Sequence, residues 1–412
     1  MPLLELLPKR FCCSLAIDMK LKGVPQAKTK TTARTGRLKG GKEKVICQPV
    51  LEHFDAVYRQ QLGSLWDEAR SILLSPQKWQ YSALLNGFAL YGQDRHTDLP
   101  ACYSDKELLV PSNGQSPSSS SPGPSSMAWP PLMMYNGDSE GTCSFLKLPG
   151  STVNQRGAHV AFAPPGRRFE RPRFQPGYLK PYFVLSAASL VAACALALKP
   201  NETCLDLCSA PGGKAIALLQ CTTPALLCCN EPSPLRNLRL RHTLESYVPQ
   251  EVLQPMVHIT AKDGCWFGKA QPETYDRVLA DVPCSNDRSW LYNSETDKVR
   301  ERIAWRSDLP SLQANLLHFI CSSALRTLRP GGTVLYVTCT LSLLENDGVV
   351  DAVSKESGNV EVEDPSDVLS AFPDMFRAFG PGHEIARHGI LLLPTEAYPW
   401  GPLYLSRLRR SH

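Results

Sequence analysis

The chain has 412 residues, 43% of them hydrophobic and 20% charged, a composition that builds one large or two moderate globular modules and excludes collagen, coiled coil and a wholly disordered chain. The formal net charge is +5, yet residues 1–44 hold eleven Lys/Arg against Glu5, Asp18 and Glu43. The basic character therefore belongs to one end, and the overall charge is no argument for nucleic-acid binding.

Residues 1–45 read as a mitochondrial type of transit segment, with a disordered RNA-binding arm as the alternative. Leu51, Phe54, Val57 and Tyr58, then Trp66, Ile72 and Leu73, then Tyr81, Leu84, Leu85 and Phe88 recur at helical spacing. They predict a helical, RNA-recognising region over 46–103. Residues 104–140 contain PSNGQSPSSSSPGPSS, which lacks the apolar side chains that offset the entropy of ordering, and predict a flexible loop. A third region, 141–412, opens with Arg156, Arg167, Arg168, Arg171, Arg173 and Lys180 interleaved with Phe162, Phe169, Phe174 and Tyr178. Guanidinium groups suit phosphates and aromatic faces suit unstacked bases, so this stretch reads equally as a single-stranded RNA contact or as a solvated loop.

The longest apolar run, Phe183 to Leu198, is shorter than the roughly 20 residues a bilayer span needs. It predicts a buried helix, and no membrane insertion is expected. Beyond it strands and helices alternate: strands at Thr203–Cys208, Ala225–Asn230, Met256–Thr260, Tyr275–Asp281 and Thr333–Cys339, and helices at Gly213–Cys221, Leu235–Tyr247, Leu309–Leu328 and Leu344–Val353. Two more strands are expected near Gly389–Leu393 and Leu403–Leu408. This alternation predicts an α/β, doubly wound, Rossmann-like core behind an N-terminal helical extension.

Fifteen cysteines include the adjacent pairs Cys12-Cys13 and Cys228-Cys229, and no C-x-x-C occurs. A disulfide framework and a zinc site are both disfavoured, no metal is expected, and most thiols should be free and buried.

In such a sheet the ligand lies beyond the carboxyl ends of the strands, where strand order reverses. The first strand runs into Cys208-Ser209-Ala210-Pro211-Gly212-Gly213-Lys214, whose glycines let a ligand approach the backbone at a helix start. Neither the phosphate-loop nor the G-x-G-x-x-G spacing is present. The next strands end in Glu231, Asp263 and Asp281. Carboxylates at these three ends suit a ribose diol, an adenine amino group and an ammonium, and together they describe S-adenosyl-L-methionine. Two cysteines, Cys284 and Cys339, follow neighbouring strands.

The blocks LDLCSAPGGK, DVPCSNDRSW and YVTCTLSLLEN, with the acidic strand ends, make residues 141–412 resemble the S-adenosylmethionine-dependent methyltransferase domain of the Sun-domain RNA cytosine-5 methyltransferases. The similarity extends from about Val50 to the C-terminus, and Ser209 departs from the usual Ala. WQYSALLN, IALLQC, RHTLESYVPQ and AQPETYDRVLADVPCSNDRSWL are similar to the mitochondrial branch of that family. The resemblance implies methylation of the wobble cytosine in the anticodon of mitochondrial methionine tRNA, in the matrix. A mitochondrial rRNA cytosine, or a non-catalytic RNA-binding assembly role, is the alternative, and DNA is not expected as a substrate. It also implies that Cys339 is the nucleophile, that Cys284 assists release, and that Asp281 bridges the cofactor and the target base. Chemistry alone favours Cys284 instead, because the DNA-modifying relatives use a Pro-Cys nucleophile. Lys214 is expected to hold the methionine carboxylate or to lower a thiol pKa. Asn286, Asp287, Arg288 and Trp290 follow Cys284 directly, and Arg288 and Trp290 are candidates to stack on or pin the target nucleotide.

Overall fold

The computed structural model describes residues 45–90, 144–147, 159–163, 169, 171–292, 299–321, 327–372 and 374–411. The basic segment, the Ser/Pro-rich stretch, Arg156, Arg167 and Arg168 lie outside the described residues.

Helices α1 (Gln48–Leu62) and α2 (Ser64–Leu73) bury Phe54, Tyr58, Leu62, Trp66, Ala69 and Leu73 at helical spacing. Between them Gly63, with φ +56°, makes a turn that side chains resist. Asp55 clamps the pair by accepting from Trp66 Nε1 at 2.8 Å and Arg70 Nε at 2.7 Å. The buried stripe joins the core under the main sheet, beside Val278, Ala280, Val334 and Tyr336. At about 1.5–3 kcal/mol for each large apolar side chain fully buried, Phe54 and Leu73 alone bind the extension firmly to that sheet.

The helical spacing of Tyr81, Leu84 and Leu85 misleads. Ser82–Leu85 is strand β1, followed by the single turn α3 (Gly87–Leu90). With β2 (Ser144–Lys147), β3 (His159–Phe162) and β4 (Tyr182–Leu185), β1 forms an antiparallel sheet of order β2-β3-β1-β4. All four β1 side chains are buried, and a strand covered on both faces shows no alternation by which it could be told from a helix. The Phe183–Leu198 run divides into β4 and α4 (Ala187–Ala195), broken at the extended Ser186.

The expected alternation follows. It comprises β5 (Thr203–Asp206), α5 (Gly213–Cys221), β6 (Leu226–Asn230), α6 (Pro234–Tyr247), α7 (Gln250–Met256), β7 (Val257–Thr260), the turn α8 (Phe267–Ala270), β8 (Tyr275–Asp281) and the short α9 (Asp287–Leu291). Helix α10 (Val299–Cys321) begins ten residues before the expected Leu309. Pro310 suits a first helical turn but here lies inside the helix. Then come β9 (Leu328–Thr338), α11 (Asp347–Glu356), β10 (Val360–Glu363), β11 (Arg377–Phe379), β12 (Ile390–Leu393) and β13 (Leu403–Arg410).

The large sheet has the order β11-β12-β13-β9-β8-β5-β6-β7, with β10 paired to β13. Strands β5 to β9 are parallel to their neighbours, while β13 runs antiparallel to β9. Alternate residues feed two cores. Leu279, Leu335 and Val337 meet α4, α5 and α6, while Val278, Val334 and Tyr336 meet α1, α2, α10 and α11. From β5 the chain moves outward to β6 and β7, then returns to β8 on the other side of β5, so strand order reverses between β5 and β8.

Among the described residues no helix is long and apolar enough to cross a membrane, no group of His, Cys, Asp and Glu is placed to hold a metal ion, and the described cysteines are free.

Candidate active site

Parallel register brings the predicted chemistry to one crevice. Asp206 ends β5 opposite Leu279, Asp281 ends β8 opposite Val337, and Cys339 follows β9 directly. Beyond these ends lies a cavity of about 510 Å³, lined by Cys208, Ala210, Pro211, Lys214, Asp281, Cys284 and Cys339 among others. Glu231 and Asp263 do not line it. Glu231 is buried at the end of β6, accepting from Ser233 N at 3.0 Å. Asp263 is exposed and caps a 3-10 turn by accepting from Cys265 N at 2.8 Å.

Both glycines pack closely against neighbouring side chains. Gly212 has φ +105°, and a Cβ there would lie 3.0 Å from Leu240 Cδ1. A Cβ on Gly213 would lie 2.8 Å from Phe183 Cε1. A larger residue at either position would press against β4 or α6.

Buried polar atoms around this loop lack hydrogen-bond partners: both Asp206 carboxylate oxygens and Ser209 Oγ. Buried polar groups are seldom left unpaired. These acceptors beside a glycine-lined cradle fit a ligand rich in hydroxyl and ammonium donors, as S-adenosylmethionine is.

Asp206, to which sequence reasoning gave no role, stands out electrostatically. Burial raises its pKa to about 7, and repulsion from Asp281 adds to the shift. The neighbouring Ser209 hydroxyl eases the charge without meeting it in hydrogen-bond geometry. The folded chain thus keeps a proton that the unfolded chain loses near pH 4. The stability this contributes is complete below the unfolded value and is lost as pH rises through about 7. Above that the buried charge costs on the order of a few kcal/mol. Asp206→Asn should therefore raise the melting temperature of the cofactor-free protein clearly at about pH 8 and little at about pH 4. Equal changes at both would contradict the assignment.

Lys214 Nζ donates to Asp281 Oδ2 at 2.6 Å. Burial alone would depress the Lys214 ammonium, but the Asp281 carboxylate outweighs it and holds the pKa above the ordinary value. Arg236, absent from the sequence-based set, lines the cavity, donates to the Ala210 carbonyl at 3.0 Å and places Nη1 3.2 Å from Glu231 Oε2. Its signal was its position in the first turn of the helix after Glu231.

The two thiols are adjacent, with Cys284 Sγ 3.2 Å from Cys339 Sγ, and Cys339 N donates to Cys284 Sγ at 3.3 Å. The hydrogen bond with Cys339 and burial push the Cys284 thiol well above the usual range. Behind them a buried network fixes both loops. Ser285 Oγ donates to Glu345 Oε1 at 2.7 Å and Thr340 Oγ1 to Asp287 Oδ1 at 2.9 Å. Tyr58 Oη donates to Asp287 Oδ1 at 2.8 Å, and Arg306 lies over the Phe54 and Tyr58 rings. The N-terminal helix thus reaches the back of the catalytic loops, which no local pattern announces.

Of the residues after Cys284, Asn286 and Arg288 line the cavity. Trp290 does not: it is buried and stacks on Trp305 with ring centroids 6.3 Å apart, so the structure removes it as a base-stacking candidate. Phe162 and Phe169 are likewise core residues, whereas Arg171, Arg173, Phe174 and Tyr178 are exposed.

A cradle at the reversal point of a doubly wound sheet, with carboxylates ending its strands and two adjacent thiols lining its cavity, suits a nucleoside-cofactor transferase. The family model for the 16S rRNA methyltransferase RsmB/F matches residues 193–372. The mitochondrial tRNA (cytosine(34)-C(5))-methyltransferase of Mus musculus is 36% identical, covering 92% of this chain and 95% of its own. The 5-cytosine rRNA methyltransferase NSUN4 of Mus musculus is 36% identical, covering 87% and 88%. The solved structure of NSun6 from Pyrococcus horikoshii shares the fold, with a TM-score of 0.50 at 16% identity over 90% of this chain and 99% of that one. The chain belongs to the Sun-domain family of S-adenosylmethionine-dependent RNA cytosine-5 methyltransferases.

Proposed function

We propose that this protein methylates carbon 5 of the wobble cytosine in mitochondrial methionine tRNA through a transient bond between Cys339 and carbon 6. The observation that carries the mechanism is the 3.2 Å approach of two thiols that line the cavity. Carbon 5 of cytosine is too electron-poor to take a methyl group directly. Addition of the Cys339 thiolate at carbon 6 makes carbon 5 enamine-like and nucleophilic. S-adenosylmethionine, when bound, supplies the sulfonium methyl group. Afterwards the carbon-5 proton leaves and the sulfur–carbon bond breaks, a step that Cys284 assists.

The other roles follow from placement. The loop 208–214 cradles the cofactor, Lys214 meets its carboxylate, and Glu231 receives its ribose with Arg236 beside it. Asp281, paired with Lys214 and lining the same cavity as the thiols, is assigned to both the methionine group and the base. Asp263 is assigned to the adenine edge from its strand end alone.

The target reading rests on the similarity to the mouse tRNA enzyme over nearly the whole of both chains, and so does the mitochondrial location, with residues 1–45 as the transit segment and the matrix as the site of action. The base must be unpaired before a thiol can reach carbon 6, and an anticodon loop meets that need. The rRNA reading is favoured by the similar identity to NSUN4. Bisulfite sequencing of mitochondrial RNA with and without this protein tests the choice. Loss of 5-methylcytosine confined to the methionine tRNA anticodon is expected, and loss confined to rRNA would overturn the tRNA assignment.

A further inference from the structure

Asn286 lines the cavity with Asp281, Cys284 and Cys339, and the methyl-transfer steps leave it without a role. Both thiol loops fix its place. It lies two residues beyond Cys284, and the peptide that follows it donates from Asp287 N to the Cys339 carbonyl at 3.4 Å. Its backbone is left-handed, with φ +45° and ψ +73°. Glycine takes that conformation freely, whereas a residue with a side chain stores strain there, and such residues cluster at functional sites.

Only one end of the Asn286 amide is engaged. Oδ1 accepts from Ser289 N at 3.2 Å and caps α9. That bond orients the group, since only its oxygen can accept. It leaves Nδ2 as a donor with no partner among the described residues. Asp281 is its complement: Lys214 occupies Oδ2, and Oδ1 accepts from no described residue. The cavity therefore offers one carboxylate acceptor and one amide donor on the segment that carries Cys284. The Watson–Crick edge of cytosine matches that pair, because its exocyclic amino group donates and its ring nitrogen 3 accepts. Uracil reverses both, with a carbonyl in place of the amino group and an N–H at position 3.

We infer that Asn286 reads the target base: its Nδ2 donates to ring nitrogen 3 of the cytosine while Asp281 accepts from the amino group, and uracil fails at both contacts. The inference rests on the cytosine-5 reading and on Asp281 facing the base, and it adds the residue that selects cytosine. An extruded base is recognised by hydrogen bonds to this edge. A site built to make such bonds rejects an analogue that leaves its polar groups unpaired.

The test is a cycle of two changes: Asn286→Gly in the full-length enzyme, and 3-deazacytosine, with a C–H replacing ring nitrogen 3, at the wobble position of the anticodon stem-loop. Glycine suits the left-handed backbone and is a tolerated cap. Single-turnover methylation at saturating cofactor is the readout. The 3-deaza ring changes the chemistry for both enzymes alike, and that effect cancels in the cycle. The penalty for the 3-deaza ring should be at least about tenfold smaller in the glycine variant than in wild type. Equal penalties would overturn the inference, whatever the variant's overall activity. Asn286→Asp keeps the cap, removes the donor and should repeat the glycine result, so it closes the cycle if the glycine variant does not fold. If methylation of the 3-deaza RNA falls below detection, its inhibition constant against the cytosine RNA supplies the same comparison. Wild-type enzyme that methylates a wobble uracil as fast as cytosine would also overturn the inference. Failure of the tRNA reading shows separately, as no methylation of the ordinary stem-loop by wild type, and the cycle is then run on the RNA that loses 5-methylcytosine in the bisulfite comparison.

Discussion

Replacing Cys339 by Ala is expected to reduce methylation by on the order of 10⁴-fold or more, the scale of loss when a covalent nucleophile is deleted. The reason is chemical more than structural. Cys339 follows β9 at a point where the backbone is already held, since Asp287 Oδ2 accepts from Leu341 N at 2.8 Å and Asp287 Oδ1 from Thr340 Oγ1 at 2.9 Å. Removing one sulfur from a cavity wall leaves that framework intact, so cofactor affinity and melting temperature should stay near the wild type. Without the sulfur no enamine-like carbon forms, and the sulfonium methyl group has no competent acceptor. Single-turnover assays with radiolabelled cofactor, alongside cofactor titration, check both halves. Residual activity within about tenfold of wild type would mean that another group attacks carbon 6.

Cys284→Ala has the opposite signature. The Cys339 thiolate still adds and the methyl group still transfers, but breakdown of the covalent complex slows, with turnover falling by about 10²–10⁴-fold as when an acid–base group is removed. A denaturing gel with unmodified RNA and cofactor should show protein–RNA complex accumulating in this variant and absent from Cys339→Ala. The argument for this division lies in the geometry of the pair. Cys284 stands 3.2 Å from the other sulfur, and its thiol is pushed well above the usual range by the side-chain hydrogen bond with Cys339 and by burial, against the smaller opposing effect of the Cys339 backbone N–H that it receives. A thiol that resists ionisation is a poor first nucleophile and a suitable proton carrier. Accumulation in the Cys339 variant instead would exchange the two roles.

The core of the fold was legible because its strands and helices carry their own signals. Gly213–Cys221 and Tyr275–Asp281 fall where the pattern puts them, each bounded by glycine or an acidic strand end. The antiparallel sheet was not legible. Ser82–Leu85 and Tyr182–Leu185 are four residues each, the first buried throughout, and they pair with strands far along the chain. Of the site, the cradle and the strand-end residues could be read from local order. Asp206 could not, because its significance comes from three-dimensional burial without partners. The Tyr58–Asp287–Thr340 network was hidden for a related reason, since it joins residues 229 and 282 positions apart. Trp290 and Phe162 show the converse error: aromatic residues near a catalytic motif looked available to bases, but packing uses them elsewhere.

The central claim is that a protein sulfur bonds to the substrate pyrimidine. Incubating the full-length enzyme and S-adenosylmethionine with a methionine tRNA anticodon stem-loop carrying 5-fluorocytosine at the wobble position tests it most directly, because fluorine blocks loss of the carbon-5 substituent and freezes the adduct. The account predicts a denaturant-stable complex whose cross-linked peptide contains Cys339. Methylation of the ordinary stem-loop with no such complex from the fluorinated one would contradict it.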